Sequence, residues 1–285
     1  MSILQSLLAL LLLPQPVVPL QRIVIPGWVA ISGPPTEEEL RCTYFSEDCW
    51  ALSVKDGRII PVPCPIREHA DPLPFSYSSG PDRKGKRSVR RLRDGWLVGF
   101  DDGEFGGGLW CFSPDGRESR RLRPPADAPA SPADPFRAEN VRGLPTLGTE
   151  QLVLMGLDHL GGRSGRVFRI VSQEGAWELA PVAVLDSQPD SWFVDGEQLL
   201  IVTETGIWEL QLNGDLTKLL GIEIPRLSTS TLIRGPDRAL YLGLRHYILR
   251  LEQKGGEWLE TWFVPSNCQH VRYEGERCIC APESQ

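Results

Sequence analysis

QLLIVTETGIWELQLNGD, residues 198–215, holds two short apolar runs separated by a polar turn and closed by Asn213-Gly214. In the second run Trp208 and Leu210 alternate with Glu209 and Gln211, the period of two that marks a strand with one face buried. Asn-Gly is the dipeptide that accepts the positive φ of a tight hairpin. The stretch therefore predicts a strand, a short turn, a second strand and a turn leading into a third.

The same unit recurs on both sides. GWLVGFDDGEFGGGLWCFSPDGR runs from Gly95 to Arg117, QLVLMGLDHLGGRSGRVFRIVSQEG from Gln151 to Gly175, and ALYLGLRHYILRLEQKGG from Ala239 to Gly256. Successive starts, near Trp96, Leu152, Leu199 and Leu240, are 41 to 56 residues apart, the length of one four-stranded repeat. A sheet of that size exposes both faces, so it is stable only when stacked against neighbours. Trp50, Trp96, Trp110, Trp208 and Trp258 fall on or beside these strands and are expected to fill the space between sheets.

Thr203 to Leu210 followed by Asn213-Gly214-Asp215 resembles the repeat of regulator-propeller-type bacterial proteins. The resemblance covers Gly95 to Gly256 and implies that each unit is a propeller blade. With Trp28 to Pro65 as a further degenerate unit and a closing C-terminal segment, the expected fold is an all-β propeller of five or six blades. The alternative is a β-sandwich with long loops.

The 285 residues, 41% hydrophobic and 24% charged, describe a globular chain with a sizeable core and exclude disorder or a multispanning membrane protein. A net charge of −7 makes nucleic acid a poor partner. Ile3 to Leu13 is an apolar run too short to cross a bilayer and suited to a signal-peptide core. Residues 1–21 are accordingly read as a leader and 22–285 as a single domain, periplasmic or secreted, with no membrane span.

Seven cysteines fit an oxidising compartment. Cys42 and Cys49 are close enough to staple one local loop, and Cys268 can close another with Cys278 or Cys280. Cys111, within Leu109-Trp110-Cys111-Phe112, reads as a buried free thiol. Cys278-x-Cys280 lacks a second pair at zinc-ligand spacing, so no metal and no cofactor is expected.

Candidate binding residues come from the hairpin loops. The aligned positions carry Asp101 and Asp102, then Asp158 and His159, then Glu204, then Arg245 and His246, and equivalent loops of stacked sheets share one face. A histidine among carboxylates is suited to acid–base work, whereas independent polar turns account for the same residues. A second candidate is RKGKRSVRRLR, residues 83–93, where Arg87, Arg90 and Arg91 stand in an otherwise acidic chain. Guanidinium groups there suit a phosphate or anionic glycan, and the plainer reading is a solvated edge strand. Asp101 to Gly108 joins two strands, so it is no nucleotide-binding loop. The prolines of residues 123–136 mark a surface loop. No recognisable nucleophile or metalloprotease pattern is present. The sequence thus reads as an exported, non-enzymatic protein-binding chain, an inhibitor or immunity protein against a secreted hydrolase or toxin. The alternative is a hydrolase or lyase acting on an anionic glycan or phosphate ester.

Overall fold

The computed structural model describes residues 24–44, 48–64, 73–129, 139–159, 162–173, 176–221, 229–268, 270–274 and 277–281. The leader, half of the proline-rich loop (residues 130–136) and the Glu174-Gly175 turn lie outside these residues.

The described chain opens with strand β1 (Trp28–Ala30), helix α1 (Glu37–Tyr44) and the hairpin of β2 (Trp50–Lys55) and β3 (Arg58–Pro63). Thr36 starts α1 with a capping box: its hydroxyl accepts the Glu39 N–H at 3.2 Å, and the Glu39 carboxylate accepts the Thr36 N–H at 2.8 Å. Four antiparallel sheets then follow in chain order. The first comprises β4 (Lys86–Leu92), β5 (Gly95–Asp101), β6 (Gly107–Phe112) and β7 (Ser119–Leu122). The second comprises β8 (Val141–Gly143), the short β9 (Thr146–Leu147), β10 (Glu150–His159), β11 (Gly162–Gln173) and β12 (Ala176–Leu185). The third comprises β13 (Ser191–Asp195), β14 (Gln198–Thr203), β15 (Gly206–Gln211) and β16 (Leu216–Gly221). The fourth comprises β17 (Thr231–Arg234), β18 (Leu240–Gly243), β19 (Ile248–Lys254) and β20 (Glu257–Pro265). A last hairpin, β21 (His270–Glu274) and β22 (Arg277–Ala281), ends the described chain.

Each sheet divides its side chains between two neighbours. Leu199 and Ile201 on β14 pack with Leu152, Leu154 and Val167 of the second sheet. Leu200 and Val202, pointing the other way, pack with Leu240, Leu242 and Leu249 of the fourth. Leu97 and Leu109 of the first sheet meet Val153, Met155 and Phe168 of the second. Beyond the fourth sheet, Tyr241 and Ile248 meet Leu52 and Ile59 of the β2–β3 hairpin. The outer face of the first sheet, with Val98, Phe100 and Phe112, is covered by Leu73, Phe75 and Tyr77. The molecule is thus all-β, a series of antiparallel sheets stacked face to face in chain order, and no closed ring is seen among the described residues.

Two expectations need correction. Trp28 to Pro65 is not one unit, because β1 leaves it to pair with β20 at the edge of the fourth sheet, Val29 opposite Val264. None of the five tryptophans is fully buried: Trp208 and Trp258 flank the cores between sheets, Trp96 and Trp110 pack on the outer face of the first sheet, and Trp50 meets Trp28 edge to face at 5.1 Å. The indole Nε1 atoms of Trp50, Trp96 and Trp110 are buried without a hydrogen-bond partner.

Cys42 bonds to Cys278 and Cys49 to Cys64, so the local Cys42–Cys49 bridge does not form. The α1 helix carries Cys42 toward the β21–β22 hairpin, while Cys49 and Cys64 flank the ends of the β2–β3 hairpin. Cys268 pairs with Cys280. Cys111 is the free thiol among the described residues, half-buried, and burial pushes it up to about 11. Three disulfides suggest an exported protein. Among the described residues no helix is long and apolar enough to cross a membrane.

Candidate functional site

The ends of β5, β10 and β14 lie at one end of the first three sheets, where His159 faces Glu104 and Arg163 faces Glu204, and Arg142 on β8 ties the end of β5 to the segment ahead of β13. Its Nη1 donates to an Asp101 carboxylate oxygen at 2.5 Å, its Nε donates to the Pro189 carbonyl at 3.1 Å, and its Nη2 lies 3.8 Å from Asp190. Asp101 ends β5 in the first sheet, while Pro189 and Asp190 lead into β13 of the third. One guanidinium therefore ties three sheet ends, using the forked donor geometry that a lysine lacks.

The loop after β5 is held from within. Asp101 accepts the Gly103 N–H at 3.1 Å, and the Asn140 amide donates to Asp101, Gly103 and Gly106 at 2.8 to 3.0 Å. Gly107 is required here, since a Cβ would collide with the Phe100 carbonyl and with Asn140.

Asp158 accepts the N–H groups of Ser164 at 3.2 Å and Gln188 at 3.0 Å, and Gln188 in turn donates to Asp190 at 3.1 Å. Burial raises the Asp158 carboxyl above the usual aspartate range, and these hydrogen bonds offset only part of that. Asp190 is pushed up to about 6 by burial, against the attraction of Arg142. Asp186 goes the other way: burial raises it, but bonds from Thr205, Lys218 and Thr203 outweigh that and lower it.

One acid–base contact and one ion pair form the outer rim. His159 Nε2 stands 3.1 Å from a Glu104 oxygen, and Arg163 Nη2 stands 3.3 Å from Glu204. All four side chains are partly exposed.

Of the residues expected from sequence, Asp101, Asp158, His159 and Glu204 lie in this network; Asp102 caps the 3₁₀ turn Gly103–Phe105 with no side-chain bond to it. His246 lies elsewhere. Its Nδ1 is 3.2 Å from Asp48, and burial holds it below the usual histidine range despite that carboxylate, with the Arg245 charge acting in the same direction as burial. The β18–β19 turn faces the segment before β2, because the Trp50 N–H bonds back to Leu244.

The arginine run does not form one patch. Strand alternation puts Arg87 and Arg91 opposite Phe100 and Trp96, and Arg90 opposite Leu97 on the other face. The Arg91 guanidinium covers the Trp96 ring at 4.7 Å, while Arg90 donates to the Leu144 carbonyl at 3.1 Å.

Sequence reasoning missed Arg142, Asn140, Gln188 and Asp190, which stand on or before the first strand of a sheet, outside the recurring unit. The one available signal was Asp186-Ser-Gln-Pro-Asp190, a turn-forming run directly ahead of the apolar Trp192-Phe193-Val194.

No protein-family model and no curated protein matches the sequence. Among solved structures, two of the extracellular domain of a two- or one-component system protein from B. thetaiotaomicron align with TM-scores of 0.42 and 0.45 at 10% identity, over 80% of this chain. This chain spans 27% of their length. The computationally designed Ika4 protein aligns with a TM-score of 0.36 at 14% identity, over 68% of this chain and 99% of its own. Likeness of this size leaves the architecture to be argued from strand pairing and packing.

Proposed function

We propose that the mature chain from residue 22 is one exported β-propeller domain of five or six blades that binds another protein through the Glu104–His159 and Arg163–Glu204 rim. The binding serves as inhibition of, or immunity to, a secreted hydrolase or toxin. The propeller reading is supported by the order of contacts: the first strands of successive sheets, β4, β8, β13 and β17, touch in turn, and β17 then touches β2. Pairing of β1 with β20 has the form of a closure in which the start of the chain adds an outer strand to the fourth sheet.

The observation that carries the binding reading is the engagement of the buried carboxylates. Asp101 is held by Arg142 and Asn140, and Asp158 by two backbone N–H groups, so both act as braces for loops. What the face offers outward is a rim of two carboxylates, an arginine and an imidazole on a braced scaffold, which suits recognition of a complementary protein surface.

Capture from envelope fractions with the wild-type chain, the E104K/R163E chain and an R117E control tests this, Arg117 lying in the β6–β7 turn at the other end of the first sheet. A stoichiometric protein held by wild type and R117E but lost from E104K/R163E supports the reading. Identical capture by all three contradicts it. The enzyme reading has one observation of its own, the acid-competent Asp190 beside Arg142. Turnover of an anionic glycan or phosphate ester that D190N abolishes would put that reading first.

A further inference from the structure

His246 is 2% exposed in the β18–β19 turn. With Nδ1 facing Asp48, its Nε2 is buried and has no hydrogen-bond partner. Donation of Nδ1–H to the carboxylate selects the tautomer whose lone pair is on Nε2, the arrangement that orients a metal-binding imidazole. The ligand atoms of His246, Cys268 and Cys280 all lie within 4.8 Å of one another. Cys268 sits in the turn after β20 and is 2% exposed, Cys280 is on β22 and exposed, and their sulfurs are joined as a disulfide. Two thiolates and an imidazole backed by a carboxylate make the donor set of a three-ligand zinc centre with a fourth position open to water.

We propose that Cys268, Cys280 and His246 form a Zn²⁺ site that the disulfide closes, so that the S–S bond and the metal are alternative states of the same residues. A dithiol opens it. One reductant thiolate attacks the exposed Cys280 sulfur, the S–S bond breaks, and Cys268 leaves as a thiolate. The second reductant thiol then displaces Cys280, so the protein gains two electrons and the dithiol becomes a cyclic disulfide. Zn²⁺ binds both sulfurs and the His246 nitrogen, and the two thiol protons pass to solvent. Asp48 is a positioning residue. Cys268 and Cys280 are 12 residues apart in sequence, and their Cα atoms, 4.9 Å apart, already hold both sulfurs near the imidazole.

The test uses the full mature chain, oxidised or reduced with a phosphine, titrated with Zn²⁺ in competition with a chromophoric chelator and then with Co²⁺ for its absorption spectrum. The expected result is no zinc on the oxidised chain, one per reduced chain, and a thiolate-to-cobalt charge-transfer band. H246Q should weaken binding at least tenfold and alter the cobalt d–d bands, and D48N should weaken it by about 10- to 100-fold. The C42S/C278S and C49S/C64S chains should each keep one zinc, and C268S/C280S should bind none while circular dichroism shows it folded. A reduced wild-type chain that takes up no zinc, or a C268S/C280S chain that binds as wild type does, overturns the proposal.

Discussion

Arg142 bonds to Asp101 and to the Pro189 carbonyl and faces Asp190, and both carboxylates are shielded from water. Removing the cation leaves them without their countercharge, which costs about 3 kcal/mol when a buried pair is broken from one side. R142A should therefore lower the unfolding free energy by about that amount in urea titrations, and R142A/D101N/D190N should recover most of it. Asp190 adds a pH dependence whose sign follows from its raised carboxyl. The folded state holds the proton up to about pH 6 while the unfolded chain releases it near pH 4, so the stabilising contribution is full below pH 4 and is lost as pH rises to about 6. Relative to wild type, D190N should flatten the stability profile across that window, by on the order of 3 kcal/mol. An unchanged profile would contradict the burial of this group. At this scale the sequence showed the residues that sit at hairpin ends, Asp101, Asp158 and Glu204. Arg142 and Asp190 were hidden because their roles depend on which sheet end comes next to which.

The elements that were legible are those whose pairing is local. The β14–β15 hairpin and its continuation into β16 follow from alternation and from Asn213-Gly214, where Gly214 has φ 94° and the Asn213 side chain accepts the Asp215 N–H at 3.0 Å. The first strand of each sheet was not legible: β8 has three residues, β17 has four, and the apolar pattern of β4 is masked by its arginines. Long-range pairing was equally hidden, in β1 against β20 and in Cys42 with Cys278. That disulfide joins residues 236 apart, against 12 for Cys268–Cys280. A longer closed loop restrains the unfolded chain more, by about 5 against about 3 kcal/mol. The C42S/C278S chain should accordingly melt below C268S/C280S, and the reverse order would show that the Cys42–Cys278 bridge does not anchor α1 to a folded C-terminal hairpin.

For the whole molecule, stability rests on interfaces between successive sheets, since β14 alone sends Leu199 and Ile201 to one neighbour and Leu200 and Val202 to the other. Such a stack leaves two outer faces unless it closes into a ring. The direct measurement is electron–electron resonance distances between spin-labelled residues at exposed turns, introduced without cysteine. The pair at Lys55 and Asp94 reads the gap between the β2–β3 hairpin and the first sheet. Asp94 with Thr149 calibrates adjacent sheets, and Asp94 with Glu197 calibrates sheets two apart. A closed ring gives Lys55–Asp94 a single narrow distance equal to the adjacent reference for five blades, or to the two-apart reference for six. A distance well beyond both references would mean an open stack and would contradict the propeller.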